Sequence, residues 1–373
     1  STDLCSLHEG VDRYCVAVKM QIDQSGEKLS QTFYRAIMKS HASLSYETVQ
    51  AAYDGAKTDI PLNLIETVIK PLYSAYLSLK IARENREPLV LDLPERKIEI
   101  GGDGKVVSIR FRERLDAHRL IEEFMVLANV ASAETLSGKN TSLLYRVHEE
   151  PAPEKLDALR ETAQSAGLTL AKGQVLRTSH LNSLLQQAKD TGDAELINMT
   201  TLRSMSQAYY SQQNFGHFGL ALRSYAHFTS PIRRYSDLIV HRALVKAHGW
   251  GKDGLSTLDE ERLDDTAQMI SISERRSMVA ERDTTDRYLA AYLTERKGHE
   301  FAGRISGVAK FGAFVRLDES GAEGLIPIRF IGREFFNLNQ NSNTLTGSET
   351  GLAIALGKHV TVKLTETVEE SGG

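Results

Sequence analysis

The segment Ser230-Pro231-Ile232-Arg233-Arg234 concentrates more potential chemistry than any other in this chain. The Ser-Pro step reads as a helix start, with Ser230 as N-cap and Pro231 as the first helical residue. Apolar residues at 232, 238, 239, 243 and 244 then carry a helix to about Trp250. That register places Arg233 and Arg234 in the first turn, at the positive end of the helix dipole, where a cation is disfavoured by roughly 0.3–1 kcal/mol. Residues that break a local rule often do so for function. Free N–H groups at a helix start, joined by two guanidinium forks, make a site for phosphate. The competing reading is an ordinary helix pair between Arg233 and Asp237 one turn on, worth roughly 0.2–0.5 kcal/mol. On spacing alone both readings stand.

A second group lies beyond His299, where the texture changes to short alternating strands with glycines. The stretch from Phe301 to Leu317, followed by Gly324–Ile328, looks like an S1-type RNA-binding domain, a five-stranded OB barrel. Such barrels hold single strands by stacking bases on aromatic rings over a basic groove. Phe311 and Phe314, with Arg304, Lys310 and Arg316, are the candidates. Alternation puts Phe311, Ala313 and Val315 on one face and Phe314 and Arg316 on the other. Either phenylalanine, taken singly, is equally well read as core.

The elements that must position these residues follow from pattern. Residues 14–23 and 31–38 read as two strands joined by the turn Gln24-Ser-Gly-Glu. Tyr46 to Tyr53 is a short helix. Pro61 to Arg86 is one or two helices, with Pro71 as a candidate kink. Lys97–Ile100, Gly-Gly-Asp-Gly and Val106–Phe111 form a second hairpin. The helix from Arg114 to Leu136 is apolar nearly all round between Leu120 and Ala131, so it is buried, and Glu122, Glu123 and Asn129 interrupt it. A strand near Ser142–Val147 is followed by helices at Lys155–Ala166, Ser179–Lys189 and Asp193–Tyr210. One long charged helix over Leu258 to about Lys297 has the polarity of a connector. Its Asp264-Asp265 pair is better read as a solvated helix face than as a carboxylate site.

Asn214-Phe-Gly-His-Phe-Gly-Leu-Ala-Leu222, followed by His227-Phe-Thr-Ser-Pro-Ile-Arg-Arg-Tyr-Ser-Asp-Leu238, resembles the signature of the ribonuclease II/ribonuclease R (RNB) family, and its wording leans towards the ribonuclease R branch. Weaker similarity runs from Leu4-Cys-Ser-Leu7 to about Tyr292. The resemblance implies an α+β fold. An RNB-type catalytic domain, a mixed sheet surrounded by helices, would span residues 1–297 without its N-terminal acidic metal-binding segment. An S1-type OB-fold barrel, seemingly cut before its last strand, would span 298–373. The family removes nucleoside 5′-monophosphates processively from the 3′ end of single-stranded RNA, with Mg²⁺ held by clustered aspartates. Those aspartates lie upstream of the Cys-Ser-Leu segment in the resembling proteins, so no metal ligands are expected in this chain. Taken residue by residue, the resemblance makes Arg233 the arginine at the scissile phosphate and Glu281, in Met278-Val-Ala-Glu-Arg-Asp283, a carboxylate near it. Tyr46 and Glu122 match residues that place the 3′-terminal nucleotides, and Arg234 joins the RNA-binding set. Where the family usually has a stacking phenylalanine, this chain has Leu91. A structural ion pair with a core arginine is the alternative role for Glu122.

Composition neither supports nor blocks this reading. The net charge of −4, from 45 basic and 49 acidic residues, is not that of an all-over RNA platform, although a local basic channel can coexist with an acidic exterior. No run of 18 apolar residues exists and no signal peptide is visible, so no membrane partner and a cytoplasmic location are expected. Cys5 and Cys15 lack zinc-site spacing. The missing Met and the short barrel suggest the C-terminal part of a longer enzyme, with its N-terminal part as a candidate partner peptide. By that reading the chain alone is inactive. The alternative is a non-catalytic RNA-binding protein on a degenerate RNB scaffold.

Overall fold

The computed structural model describes residues 4–91, 96–111, 113–173, 175–339, 344–370 and 372. The chain divides into two compact units: Ser1–Pro88, Glu113–Glu149 and Gln207–Ile272 make the first, and Leu89–Arg112, Glu150–Ser206 and Ser273–Gly373 the second.

In the first unit, β1 (Asp12–Ile22) and β2 (Lys28–Lys39) form an antiparallel hairpin longer than the pattern indicated. Its turn is locked by Asp23, whose Oδ1 accepts from the N–H groups of Ser25 at 2.9 Å and Glu27 at 3.0 Å and from the Ser25 hydroxyl at 2.7 Å. These bonds, the Ser25 hydroxyl first, hold the Asp23 carboxyl below its ordinary range. Gly26 sits in that turn at φ +80°, and a Cβ there would lie 2.1 Å from the Ser78 carbonyl oxygen. Next come α1 (Tyr46–Tyr53), the short α2 (Leu62–Leu64), a π-helical turn over Ile65–Ile69, and α3 (Lys70–Arg86). Pro71 lacks an N–H and falls at the start of α3, so the wide π turn sits just ahead of the residue that cannot join the regular ladder. The hairpin of β3 (Arg96–Ile100) and β4 (Val106–Phe111) belongs to the second unit. Helix α4 (Asp116–Gly138) and β5 (Tyr145–Val147) return to the first.

Helices α5 (Pro153–Ser165), α6 (Thr178–Ala188) and α7 (Ala194–Ser204) pack together in the second unit. The helix expected to reach Tyr210 stops at Ser204, because Tyr209–Ser211 instead forms β6 and pairs antiparallel with β5. Helix α8 (Tyr235–His248) ends at Gly249 in the left-handed region, φ +65°. The expected single long helix is two, α9 (Thr257–Glu261) and α10 (Leu263–Thr294). Ser256 starts α9 as a capping box with Asp259, and the break falls at Arg262, the C-cap of α9 at φ −101° and ψ 9°. The first unit's core runs through Leu136, Leu144, Val147, Val240, Leu244 and Leu263, and Tyr73, Tyr76 and Leu120 form a second cluster against α1.

The C-terminal strands are β7 (Glu300–Ala309), β8 (Gly312–Leu317), β9 (Glu323–Pro327), β10 (Phe336–Asn339), β11 (Thr344–Gly347), β12 (Ala353–Ala355) and β13 (His359–Lys363), with α11 (Ile328–Ile331) after β9. They form a four-stranded sheet in the order β13-β7-β8-β9 and a three-stranded sheet β10-β11-β12. Ile305, Ala313, Val315 and Leu317 fill the interior against Leu289 and Leu293 of α10. The architecture is α+β followed by an all-β barrel, as the resemblance implied.

The Gly26 contact gives a stability test. Ala at Gly55, φ +87° with nothing within 4 Å of a Cβ, should cost about 1 kcal/mol from backbone strain. Gly26→Ala should cost clearly more, since the opposing atom is backbone and cannot swing away. Urea midpoints of the two variants measure the difference; equal losses would mean the Ser78 contact carries no weight.

Candidate nucleic-acid interface

The arginine segment is built around Asp237, whose side chain is fully buried. Its Oδ1 accepts from the Ser230 N–H at 2.7 Å and from Arg234 Nη2 at 2.9 Å. Its Oδ2 accepts from Arg234 Nε at 2.9 Å and the Ser236 hydroxyl at 3.1 Å. The Ser230 carbonyl accepts the N–H groups of Arg233 at 3.3 Å and Arg234 at 3.0 Å, which closes a turn. The helix therefore begins at Tyr235 with Arg234 as N-cap, four residues later than the Ser-Pro signal indicated. The cause is Asp237: a buried carboxylate takes the Ser230 N–H that a helix start would have left free, and Ser230 caps nothing. The Ser230 hydroxyl is instead 3.4 Å from Arg233 Nη2. Neither sequence reading survives intact. Arg234, not Arg233, pairs with Asp237. Arg233 is exposed, and its guanidinium joins no ion pair among the described residues.

Helix α4 fixes the strand-like run that leads into this turn. Asn129, 2% exposed, accepts from the N–H groups of Phe228 at 2.8 Å and Thr229 at 3.3 Å, and donates to the Tyr225 hydroxyl at 2.9 Å. His241 Nε2 meets the Phe228 carbonyl at 2.8 Å, so that nitrogen carries the proton. His227 Nδ1 is 2.9 Å from the Tyr210 hydroxyl. Burial, with Arg234 and Arg146 close by, pushes His227 down to about 2. Burial and then His148 push His217 down to about 3. For His217 the bonding also requires neutrality, since its Nδ1 accepts from the Leu220 N–H at 3.2 Å; His148 Nδ1 likewise accepts from the Gly219 N–H at 3.0 Å.

Tyr46 opens α1 behind the Ser45 cap, and its ring stacks on His118 at 4.2 Å and 22°. Glu122 lies one turn beyond His118 on the same side of α4. It is 36% exposed and paired with the 60% exposed Arg114, which corrects the expectation of a buried carboxylate. The buried one is its neighbour Glu123, 5% exposed and 2.7 Å from Arg83. One residue is about 100° of helix, and the buried face of α4 runs through Leu120, Glu123 and Val126. Burial pushes the Tyr225 hydroxyl up, against the bond from Asn129.

The remaining candidates belong to the second unit. Glu281 is exposed on α10 and lines a groove of about 510 Å³ with Arg96, Ile98 and Ile100 of β3. Ala313 and Val315 point into the barrel, while Phe314 and Arg316 point out. Phe311 does not share the inner face as alternation indicated: it precedes β8 in the turn, is 58% exposed, and meets Phe314 edge-on at 6.1 Å. Arg304 stands opposite Arg316 in the β7–β8 register, and Lys310 is exposed at the turn. Sequence reading missed Asp237, Asn129 and His118 as functional supports. The signal was there for the last two, as polar residues within an apolar helix. No group of three or more His, Cys, Asp or Glu able to hold a metal occurs among the described residues, so they do not fit a Mg²⁺ centre.

Comparison with known proteins gives the family of each region. The RNB domain family matches residues 1–249 and the S1 RNA binding domain family residues 294–373. The chain belongs to the RNB family. Ribonuclease R of Vibrio cholerae is 36% identical over 98% of this chain, and that of Escherichia coli 35% identical over 98%. The chain covers 46% of each, so it spans about half the length of the curated relatives it matches. Mycoplasma genitalium RNase R, in its apo form and in complex with ribose methylated single-stranded RNA, superposes with a TM-score of 0.92 at 28% identity, over 99% of this chain and 58% of that one. No helix among the described residues is long and apolar enough to cross a membrane.

The two depressed histidines set a pH dependence. An unfolded histidine takes a proton near pH 6.5, so their neutral burial stabilises fully above that pH and is lost as pH falls towards their folded values. Urea midpoints should drop between pH 7 and 5, and His227→Gln should flatten the drop. An unchanged slope would show that His227 is not held neutral.

Proposed function

We propose that this chain carries the phosphate-facing wall and the strand-holding barrel of a processive 3′→5′ exoribonuclease, acting in the cytoplasm on single-stranded RNA to give nucleoside 5′-monophosphates. The observation that carries the reading is Arg233: an exposed, unpaired guanidinium on a turn fixed by a fully buried carboxylate. Donors already in place where charge develops cost no reorganisation in the transition state. Arg233 stabilises charge on the scissile phosphate, and Glu281 is the further carboxylate that the family resemblance assigns to catalysis. Tyr46, already stacked on His118, offers its ring to a terminal base, and Glu122 reaches a ribose hydroxyl. Arg234 holds the turn rather than the RNA, since its Nε and Nη2 are bound to Asp237. Phe311, Phe314, Arg304 and Lys310 supply affinity for the strand. Mg²⁺, when bound, supplies the activated water. The described residues do not supply its ligand set.

In the longer protein, Arg233→Ala should lower kcat by about 10²–10³ while RNA affinity changes less than about threefold. Equal loss in both would make Arg233 a binding residue only. Residues 1–373 alone should bind a single-stranded oligoribonucleotide without Mg²⁺-dependent release of monophosphates. Release abolished by chelator would place the metal ligands within this chain. No release from the longer protein would leave RNA binding as the whole function.

A further inference from the structure

Within the second unit, α7 lies over the outer face of β7 and β8 and leaves a cleft of about 330 Å³. Three guanidiniums line it: Arg304, Arg316 and Arg96. Arg304 and Arg316 face one another across the β7–β8 ladder. Their carboxylate partners are distant, Arg304 Nε to Asp318 at 3.8 Å and Arg316 Nη2 to Glu323 at 3.8 Å. Both separations exceed a hydrogen bond, so most of the guanidinium N–H groups stay uncommitted. Arg316 Nη1 reaches only the Met199 sulfur, at 3.8 Å. Arg96 donates to the Gly321 carbonyl at 2.9 Å. Ser306, 5% exposed, adds a buried hydroxyl with no partner among the described residues. Such a group is rare in native proteins and calls for an explanation.

Resting on the RNA-binding reading above, we infer that this cleft is a subsite for one phosphodiester of a single-stranded RNA whose base stacks at Phe314. The charge balance fixes the class of ligand. Arg304, Arg316, Arg96 and Arg203, which donates to the Ser306 carbonyl, stand against Glu195, Asp318 and Glu323 and leave one net positive charge, which one phosphodiester matches and a polyphosphate exceeds. Guanidinium forks suit phosphate oxygens, and the Ser306 hydroxyl is a further donor. The geometry fixes the register. Phe314 and Arg316 are two residues apart on one face of β8, roughly 6.6–6.8 Å, a step that one nucleotide of an extended strand covers. Gly307 stands opposite Phe314, and the Arg203 guanidinium lies beside it, 3.7 Å from where a Gly307 Cβ would be, as a further cation at that ring. Arg96 also lines the groove that holds Glu281, so the same side chain borders both clefts and can pass the strand from one to the other.

The test is fluorescence anisotropy of a labelled single-stranded oligoribonucleotide against residues 1–373 over a salt series. Arg304→Gln with Arg316→Gln should weaken binding at least tenfold and lower the salt slope by about 0.7–1.4, the value for one or two phosphate contacts on a single strand. Glu195→Gln should act in the opposite direction, strengthening binding a few-fold, and it leaves the barrel untouched. If the parent chain binds and the double variant binds equally well, the subsite is wrong. A weakened double variant with an unchanged slope also overturns it, since the loss is then not electrostatic. Thermal unfolding checks the double variant's fold. Should it fail to fold, Glu195→Gln decides alone, and no gain in affinity refutes the cleft. A parent chain that does not bind RNA at all instead refutes the RNA-binding reading itself.

Discussion

A carboxylate taken wholly out of water loses several kcal/mol of solvation unless its oxygens are matched, and Asp237 meets that demand with four donors. One is the Ser230 N–H, one the Ser236 hydroxyl, and two come from the fork of Arg234. Each donor fixes a piece of chain: the turn at Ser230, the first turn of α8, and the extended residue between them. The conformation that exposes Arg233 follows from this matching. Were Asp237 on the surface, Ser230 would be free to cap a helix, and Arg233 would lie in that helix's first turn as local propensity predicts. The buried charge overrides the cap.

The same turn is held from behind by a polar network in which each member has a defined protonation state. Asn129 ties Phe228, Thr229 and Tyr225 to α4, and His241 ties the Phe228 carbonyl to α8. His227 and His217 lie among Arg146, Arg233 and Arg234, and stay neutral because burial and those cations both oppose a further charge. The electrostatic consequence is one-sided. Among the described residues the Arg233 guanidinium joins no ion pair, and the charge of Asp237 is already taken by Arg234, so Arg233 is left open to an anion from outside.

Patterns of period two and turn residues made the hairpin β3–β4 legible almost to the residue and located β1–β2, though shorter than it is, as the signature and the strand texture made the fold class. What failed did so where tertiary burial overrules local preference. The Ser-Pro start of α8 lost to Asp237, whose burial no local pattern announces. Glu122 and Glu123 are adjacent in sequence and differ by a quarter-turn of helix, so the burial of one and the exposure of the other depend on α3, from which Arg83 reaches Glu123. Phe311 fits the alternation of β8 only if β8 begins before it, and the strand begins at Gly312. Asn129 was visible as an interruption of an apolar helix, but its partners lie 96 to 100 residues away. Arg96, at the base of a hairpin with no motif of its own, carried no signal at all.

The two units solve different mechanical problems with the same side chain. In the first, an arginine bound bidentately to a buried carboxylate makes a turn that cannot yield without exposing a charge to an apolar interior, and the exposed Arg233 inherits that rigidity. In the second, Arg304 and Arg316 are each 39% exposed and stand 3.8 Å from carboxylates that are themselves 44% and 47% exposed. Pairs of that kind are worth about 0–1 kcal/mol and exchange partners readily. Chemistry on a phosphate requires fixed donors, because an error of an ångström in position costs orders of magnitude in rate. A strand that must advance one nucleotide after each cleavage requires the opposite: contacts repeated along the backbone, individually weak, and indifferent to base. A tight, buried ion pair at the barrel would trap one phosphate and stall the strand. A loose one at the Ser230 turn would leave Arg233 without a defined position. The division between a buried pair and exposed pairs is the one that the proposed processive action on a polymer would need.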